Sequence, residues 1–173
     1  MLGYSYMFDN NVNFKHQLIN IKQRIKDQNL QNQNSNIFQS SKLNFLRTFY
    51  NMGQRPSYVD SLVNISERAA ISKIRTCAHL LMIERGRHKH IPTSERFCTV
   101  CKSGKIENEE QFLIHCPGCE LQRQIFVNKI VPGYIKLSTV SKIKLLLNSN
   151  SSVIRRMSSS FISSCFKNRD NLM

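Results

Sequence analysis

The stretch Phe97-Cys98-Thr99-Val100-Cys101, followed by His115-Cys116-Pro117-Gly118-Cys119, holds most of the six cysteines of this 173-residue chain. Two cysteines separated by two residues form a turn that offers both sulfurs to one ion, and zinc takes four thiolate or imidazole ligands in a tetrahedron. The spacing therefore predicts a zinc site made by Cys98, Cys101, Cys116 and Cys119.

The residues between the two pairs suit such a site. Gly104 provides a turn after the first pair, and Asn108 is placed to cap a short helix over residues 109–115. Glu109 and Glu110 favour the positive end of that helix. Pro117-Gly118 ends it and turns the chain toward Cys119. The pattern predicts a knuckle followed by a helix that carries the remaining ligands.

Two other interpretations of the cysteines remain open. They can be reduced, buried side chains without a metal ion. Alternatively, Cys116-Pro117-Gly118-Cys119 ahead of a helix is similar to a thioredoxin-type redox motif. That motif requires a strand–helix–strand frame, which the sequence does not indicate. The lone Cys77 and His79 are predicted to be packing and surface residues rather than ligands.

The compartment follows from what the sequence lacks. No apolar run approaches the ~18 residues of a membrane span, and the first residues have neither a basic leader nor an apolar stretch. We therefore expect a soluble intracellular protein, nuclear or cytoplasmic, that has no membrane partner. Cysteines in that environment are reduced, which favours metal binding over disulfides.

The charge predicts a polyanionic partner. Lys and Arg outnumber Asp and Glu by 25 to 11, giving a net charge of +14, and nucleic acid is the first candidate for such a surface. Residues 98–119 are slightly acidic, so the flanks carry the charge. Residues 84–92 are predicted to form a basic loop that is either a phosphate-binding segment or a solvated turn. The candidate phosphate contacts are Arg85, Arg87, Lys89 and Arg96. Phe97 is a candidate for stacking on a base or for core packing.

Apolar periodicity predicts helices over most of the chain. Helices are expected over residues 12–29, from Ser66, over 120–131, from a Ser138 cap to Leu147, and along the stripe from Val153 to Phe166. The Asn/Gln/Ser-rich residues 31–41 are expected to be a linker.

The predicted fold is mainly α, a helical domain with a small inserted zinc-knuckle-like cysteine cluster. Its expected parts are an N-terminal helix and linker (residues 1–41), a helical segment with the basic loop (42–97), the cysteine knuckle (98–119) and basic amphipathic helices (120–173).

Several motifs in order resemble one sequence type. They are Ile71-Ser72-Lys73-Ile74-Arg75, His79-x4-Glu84-Arg85-Gly86-Arg87, Ile91-Pro92-x2-Glu95-Arg96-x-Cys98-x2-Cys101 and Ile106-Glu107-x3-Gln111-Phe112-Leu113-x2-Cys116-Pro117. Together they resemble the C-terminal region of reverse transcriptase polyproteins from animal LINE-type (non-LTR) retrotransposons. The match is dense from Ser66 to Arg123 and looser toward both ends.

The resemblance implies a zinc-binding tail that follows the polymerase and contacts RNA or DNA. The family pattern is Cys-x2-Cys…His-x4-Cys, and this chain departs from it because Gln111 stands at the histidine position. Cys119 is then the expected fourth ligand, with His115 as the alternative.

The sequence contains no clustered carboxylates for polymerase or nuclease chemistry and no phosphate-binding glycine loop. The expected function is non-catalytic nucleic-acid binding with a structural zinc and no small-molecule substrate, as the tail or relic of a retrotransposon protein. The alternatives are a structural or protein-interaction zinc module with incidental charge, and a degenerate metal-free fragment.

Overall fold

The computed structural model describes residues 14–61, 64–130 and 133–172. The predicted helix boundaries at Val12 and Val131 lie outside these residues. The chain divides into two compact units, Met1–Ser41 and Lys42–Met173. The described residues form helices and turns with one isolated β-bridge and no strand, so the prediction of a mainly α protein is confirmed. None of the described helices is long and apolar enough to cross a bilayer.

The first unit contains helix α1, Phe14–Gln39. Helix was predicted only to residue 29, so the expectation of a linker over residues 31–41 is wrong for most of its length. Residues 14–39 contain neither Gly nor Pro, and Gln is close to Lys and Glu in helix propensity. Polar composition indicates a solvated segment, but it does not by itself interrupt the backbone hydrogen bonds of a helix.

The second unit contains the other helices. They are α2 (Asn44–Arg47), α3 (Tyr58–Ser61), α4 (Ile65–Arg75), α5 (Met82–His88), α6 (Glu120–Ile130), α7 (Thr139–Asn148) and α8 (Ser152–Asn171). The predicted cap of α7 is confirmed, because Ser138 Oγ accepts from the amide of Ser141 at 3.2 Å. At α4 the capping residue is Asn64, whose Oδ1 accepts from the amide of Ser66 at 2.9 Å.

Helix α8 forms the centre of this unit, where it packs against α4, α6 and α7. Its predicted apolar stripe buries Phe161, Ile162 and Cys165. The ring of Phe161 lies 5.1 Å from that of Phe126 on α6, between centroids. Burial of these side chains provides the main stabilisation, and it fixes the surface on which the cysteine segment rests.

The predicted basic loop over residues 84–92 is wrong in its first half, which belongs to α5. Gly86 lies inside α5, where its lack of a side chain leaves room for the side chain of Arg96. A Cβ at Gly86 would lie 2.6 Å from Cγ of Arg96, so glycine is required there for packing and not for a bend. Glu84 is buried and pairs with Arg87 one turn later on the same helix.

Candidate metal centre

Three cysteines of the predicted site converge. The sulfurs of Cys98, Cys101 and Cys116 all lie within 4.8 Å of one another, and Cys98 Sγ is 4.0 Å from Cys116 Sγ. Zinc–sulfur bonds of about 2.3 Å place two sulfurs about 3.8 Å apart on a tetrahedron. The three thiols can therefore hold a metal ion with little movement.

The backbone around Cys116 explains this convergence. The predicted cap is confirmed, because Asn108 Oδ1 accepts from the amide of Gln111 at 2.8 Å. The predicted helix is then a wide π-helical turn, Gln111–His115, closed by a hydrogen bond from the amide of Cys116 to the carbonyl of Gln111 at 2.7 Å. Residues five apart return to the same side in such a turn, so Gln111 comes beside Cys116.

The Gln111 side chain lies against one of these sulfurs, that of Cys101. Its Nε2 is 3.4 Å from Cys101 Sγ, and its Oε1 is buried without a hydrogen-bond partner. Amide oxygen and nitrogen are interchangeable by a flip. A sulfur and an oxygen ligand of one zinc ion are about 3.6 Å apart in a tetrahedron. The separation of the Gln111 amide from the Cys101 sulfur is thus one that two ligands of the same ion could have.

The two residues predicted as fourth ligands differ in their positions relative to the three sulfurs. Cys119 is buried, but it is outside the group of mutually close sulfurs, and its thiol interacts with both Cys116 and Cys165. His115 is on the outer side of the π-helical turn, 45% exposed, and its Nε2 is 3.6 Å from Glu110 Oε1. The Gln111 amide therefore contacts Cys101, whereas the Cys119 thiol contacts Cys116.

The environment of Cys98 and Cys116 favours the protonated form of these two thiols. Burial raises the pKa of Cys98 to about 12. The pKa of Cys116 is also raised, first by its hydrogen bond with Cys119 and then by burial. Zinc binds thiolates, so binding must release protons and its affinity rises with pH.

A buried ion pair between Glu107 and Arg169 lies next to the cysteine cluster. Glu107 and Arg169 are 0% and 2% exposed, with Arg169 Nε 2.8 Å from Glu107 Oε1. The same carboxylate accepts from the amide of Met82 at 2.6 Å and lies 3.7 Å from Cys98 Sγ. Because Arg169 belongs to α8, this pair fixes the cysteine segment to the central helix.

The predicted phosphate contacts are not equivalent in the structure. Arg96 donates from Nε to the carbonyl of Ile91 and from Nη1 to that of Ile83, each at 2.9 Å. Those bonds hold the segment after α5 in place. Arg87 pairs with Glu84, Arg85 is half-buried, and Lys89 is exposed.

Phe97 is on the surface, a position that distinguishes between its two predicted roles, stacking on a base and core packing. Its side chain is 46% exposed, so core packing does not account for it. The residue forms an antiparallel bridge with Ile106, and the next amide, of Cys98, donates to the carbonyl of Lys105 at 2.9 Å. Lys102 and Lys105 are both exposed in the turn between these positions.

No protein family, curated protein or solved structure matches the chain. The functional class of the chain therefore rests on its residues and their geometry alone. What these establish is a mainly helical unit with a cysteine cluster that can hold a metal ion.

Sequence reasoning missed two buried polar groups. One is the Glu107–Arg169 pair, whose members are 62 positions apart. The other joins Cys77, His79 and Glu109, and it shows that the prediction of His79 as a surface residue is wrong. Packing of distant segments completes each group, because Arg169 is 62 positions from Glu107 and Glu109 is 30 positions from His79.

We predict that Gln111→His tightens zinc binding. Structural sites contribute about 10–16 kcal/mol over four ligands, or roughly 3 kcal/mol each, and an amide supplies only part of that. A gain of about 10–100-fold in zinc affinity is therefore expected, measured by competition with a chromophoric chelator. Gln124→His, on the exposed side of α6, is the matched control and should change nothing. Unchanged affinity in Gln111→His would contradict a ligand position at residue 111.

Proposed function

We propose that this chain is a non-catalytic nucleic-acid-binding module whose fold is closed by a structural zinc ion. Cys98, Cys101 and Cys116 would hold the ion, with the amide of Gln111 as fourth ligand. A structural ion of this kind contributes folding free energy directly. It would fix the turn that presents Phe97 and the lysines around it.

One observation carries the proposal: an exposed aromatic ring and exposed cations stand on the turn that the cysteines close. Phe97 and Lys105 are neighbours across this turn, and Lys102 is also exposed in it. Single-stranded nucleic acids are bound by aromatic side chains that stack on bases, together with cations that contact phosphates. Lys89, exposed after α5, would extend this surface.

Several arginines are bound within the protein and are therefore not proposed as contacts to nucleic acid. Arg75 donates to the carbonyl of Leu147 at 2.7 Å, and Arg155 donates to that of Asn150 at 2.6 Å. Together with Arg96 and Arg169, these guanidinium groups stabilise the fold. The positive charge available on the surface for a polyanion is thus smaller than the net charge of +14 suggests.

The origin we propose is a retrotransposon reverse transcriptase polyprotein of the LINE type. The support is the order and spacing of the motifs between Ile71 and Pro117. The replacement of the family histidine by Gln111 is compatible with a metal site of lower affinity. In this proposal the chain contacts template RNA or target DNA and performs no chemistry on it.

We expect single-stranded RNA or DNA to bind with a strong salt dependence. Each phosphate neutralised contributes about 0.7 to the slope of log affinity against log salt for single strands. Replacing both Lys102 and Lys105 by Ala should reduce the slope by roughly 1.4. Phe97→Ala should cost about 1–3 kcal/mol, or about 5–150-fold in affinity, through lost stacking. Fluorescence anisotropy over a salt series measures both quantities.

Two controls make that experiment specific. Lys144→Ala removes an exposed charge on α7, and Leu121→Ala removes an apolar side chain of α6 that is 65% exposed. Each should bind within about twofold of the wild-type chain, because neither belongs to the proposed surface. Absence of binding at low salt would reject the proposed function.

A protein-interaction module is the second candidate, favoured by a groove between α6 and α8. The groove has a volume of about 340 Å³ and is lined by Ile125, Phe126 and Met157 among others. Ile125 is 48% exposed. In that case zinc only closes the fold, and nucleic acid would not bind. Binding to a protein partner through this groove would show little dependence on salt.

A further inference from the structure

A second group of metal-ligand side chains lies apart from the candidate metal centre. The Cys77 sulfur, an imidazole nitrogen of His79 and a carboxylate oxygen of Glu109 all lie within 4.8 Å of one another. His79 Nε2 is 3.0 Å from Glu109 Oε1. All three residues are buried, and the side chain of His79 is 0% exposed.

Cys77 occupies a position where a side chain is unfavourable. The amide of Ala78 bonds to the carbonyl of Lys73 and that of Cys77 to Ile74, at 2.9 and 3.3 Å. This is the Schellman pattern, in which glycine is usual at the left-handed residue. Cys77 has φ 51° there. The conformation disfavours any residue with a Cβ, so the sulfur at this place needs a compensating interaction.

A metal-free hydrogen-bond network explains only part of the arrangement. Glu109 can accept hydrogen bonds from both His79 and Cys77. Nε2 of His79 faces Glu109 and is the ring nitrogen that could share an ion with that carboxylate, whereas the other ring nitrogen points away from it. That nitrogen, Nδ1, is buried without a hydrogen-bond partner. An imidazole nitrogen is a common metal ligand, and Nε2 is the one placed to bind an ion together with Glu109.

We infer that Cys77, His79 and Glu109 bind a second zinc-class divalent ion, independently of the proposed nucleic-acid function. A thiolate and a carboxylate together neutralise the two positive charges, so the buried complex would be uncharged and its desolvation would cost little. Sulfur, imidazole and carboxylate are all ligands that zinc accepts. Binding displaces the thiol proton of Cys77 into solvent and involves no change of oxidation state. Because the three residues are buried, the ion would join the end of α4 to the start of the π-helical segment and have a structural role.

Zinc stoichiometry of the full chain tests this inference. Under reducing conditions the wild-type chain should bind two equivalents by equilibrium dialysis. His79→Gln and Glu109→Gln should each bind one, whereas His88→Gln, an exposed control on α5, should bind two. The triple variant Cys98→Ser/Cys101→Ser/Cys116→Ser should retain one equivalent. Cobalt bound to that variant should show sulfur-to-metal absorption that disappears on Cys77→Gly.

The outcomes separate this site from the first one. One equivalent that is lost in the triple variant but retained in His79→Gln would overturn the second site and leave the first. One equivalent retained in the triple variant and lost in His79→Gln would support the second site and reject the first. Cys77→Gly relieves the left-handed strain, so it should stay folded by circular dichroism. If it still binds two equivalents, Cys77 is not a ligand and the inference fails.

Discussion

Replacing Arg169 by Met should destabilise the Lys42–Met173 unit by about 3–5 kcal/mol, because the change leaves the Glu107 carboxylate buried without its cation. Glu107 Oε1 and Oε2 accept from Arg169 at 2.8 and 3.0 Å, and both residues are almost inaccessible to solvent. Methionine fills much of the same volume, so loss of packing contributes little. Urea unfolding followed by circular dichroism, under identical metal conditions for each variant, measures the change.

A control on the same helix isolates the effect of the ion pair. Arg156 lies on the exposed side of α8, and Arg156→Met should change stability by less than about 0.5 kcal/mol. The double variant Glu107→Gln/Arg169→Met should be more stable than Arg169→Met alone, since the unpaired charge is gone. A loss below 1 kcal/mol in Arg169→Met would show that water reaches the carboxylate and that α8 is not anchored there.

The second large effect concerns which cysteines bind zinc. Cys116→Ser should weaken zinc binding by roughly 3–4 kcal/mol, or about 10²–10³-fold, because the ligand share of a structural site is of this size. Cys119→Ser should have a much smaller effect on the affinity, since the Cys119 thiol lies outside the close group and contacts it only through its hydrogen bond with Cys116. Competition with a chelator, under reducing conditions, compares the two variants.

These two serine variants form a matched pair. Both positions are buried, at 1% and 2% exposure, and are only three residues apart. General damage to the fold would therefore weaken both, and circular dichroism of the metal-free proteins would reveal it. If Cys119→Ser loses zinc as strongly as Cys116→Ser, the all-cysteine ligand set predicted from the spacing is right and Gln111 is not a ligand.

Much of the local structure was predictable because local signals determine it. Apolar periodicity predicted α6, α7 and α8, and the residues at Ser138 and Asn108 act as caps where expected. Two predictions were wrong because a polar or glycine-containing composition was used to infer the absence of helix. The polar residues after 29 continue helix α1. Gly86 lies inside α5, and a glycine is needed there because the Arg96 side chain packs against it.

By itself, the sequence determined the mainly helical fold, the strong positive charge and the two cysteine pairs, since each depends on residue types and short spacings. Only the tertiary structure decided which side chains meet. Folding brings the sulfurs of Cys98, Cys101 and Cys116 together, puts Gln111 against Cys101, and places the Cys119 thiol between Cys116 and Cys165. The physical reason is that ligand geometry, buried ion pairs and side-chain exposure depend on segments far apart in the chain, which periodicity and spacing do not record.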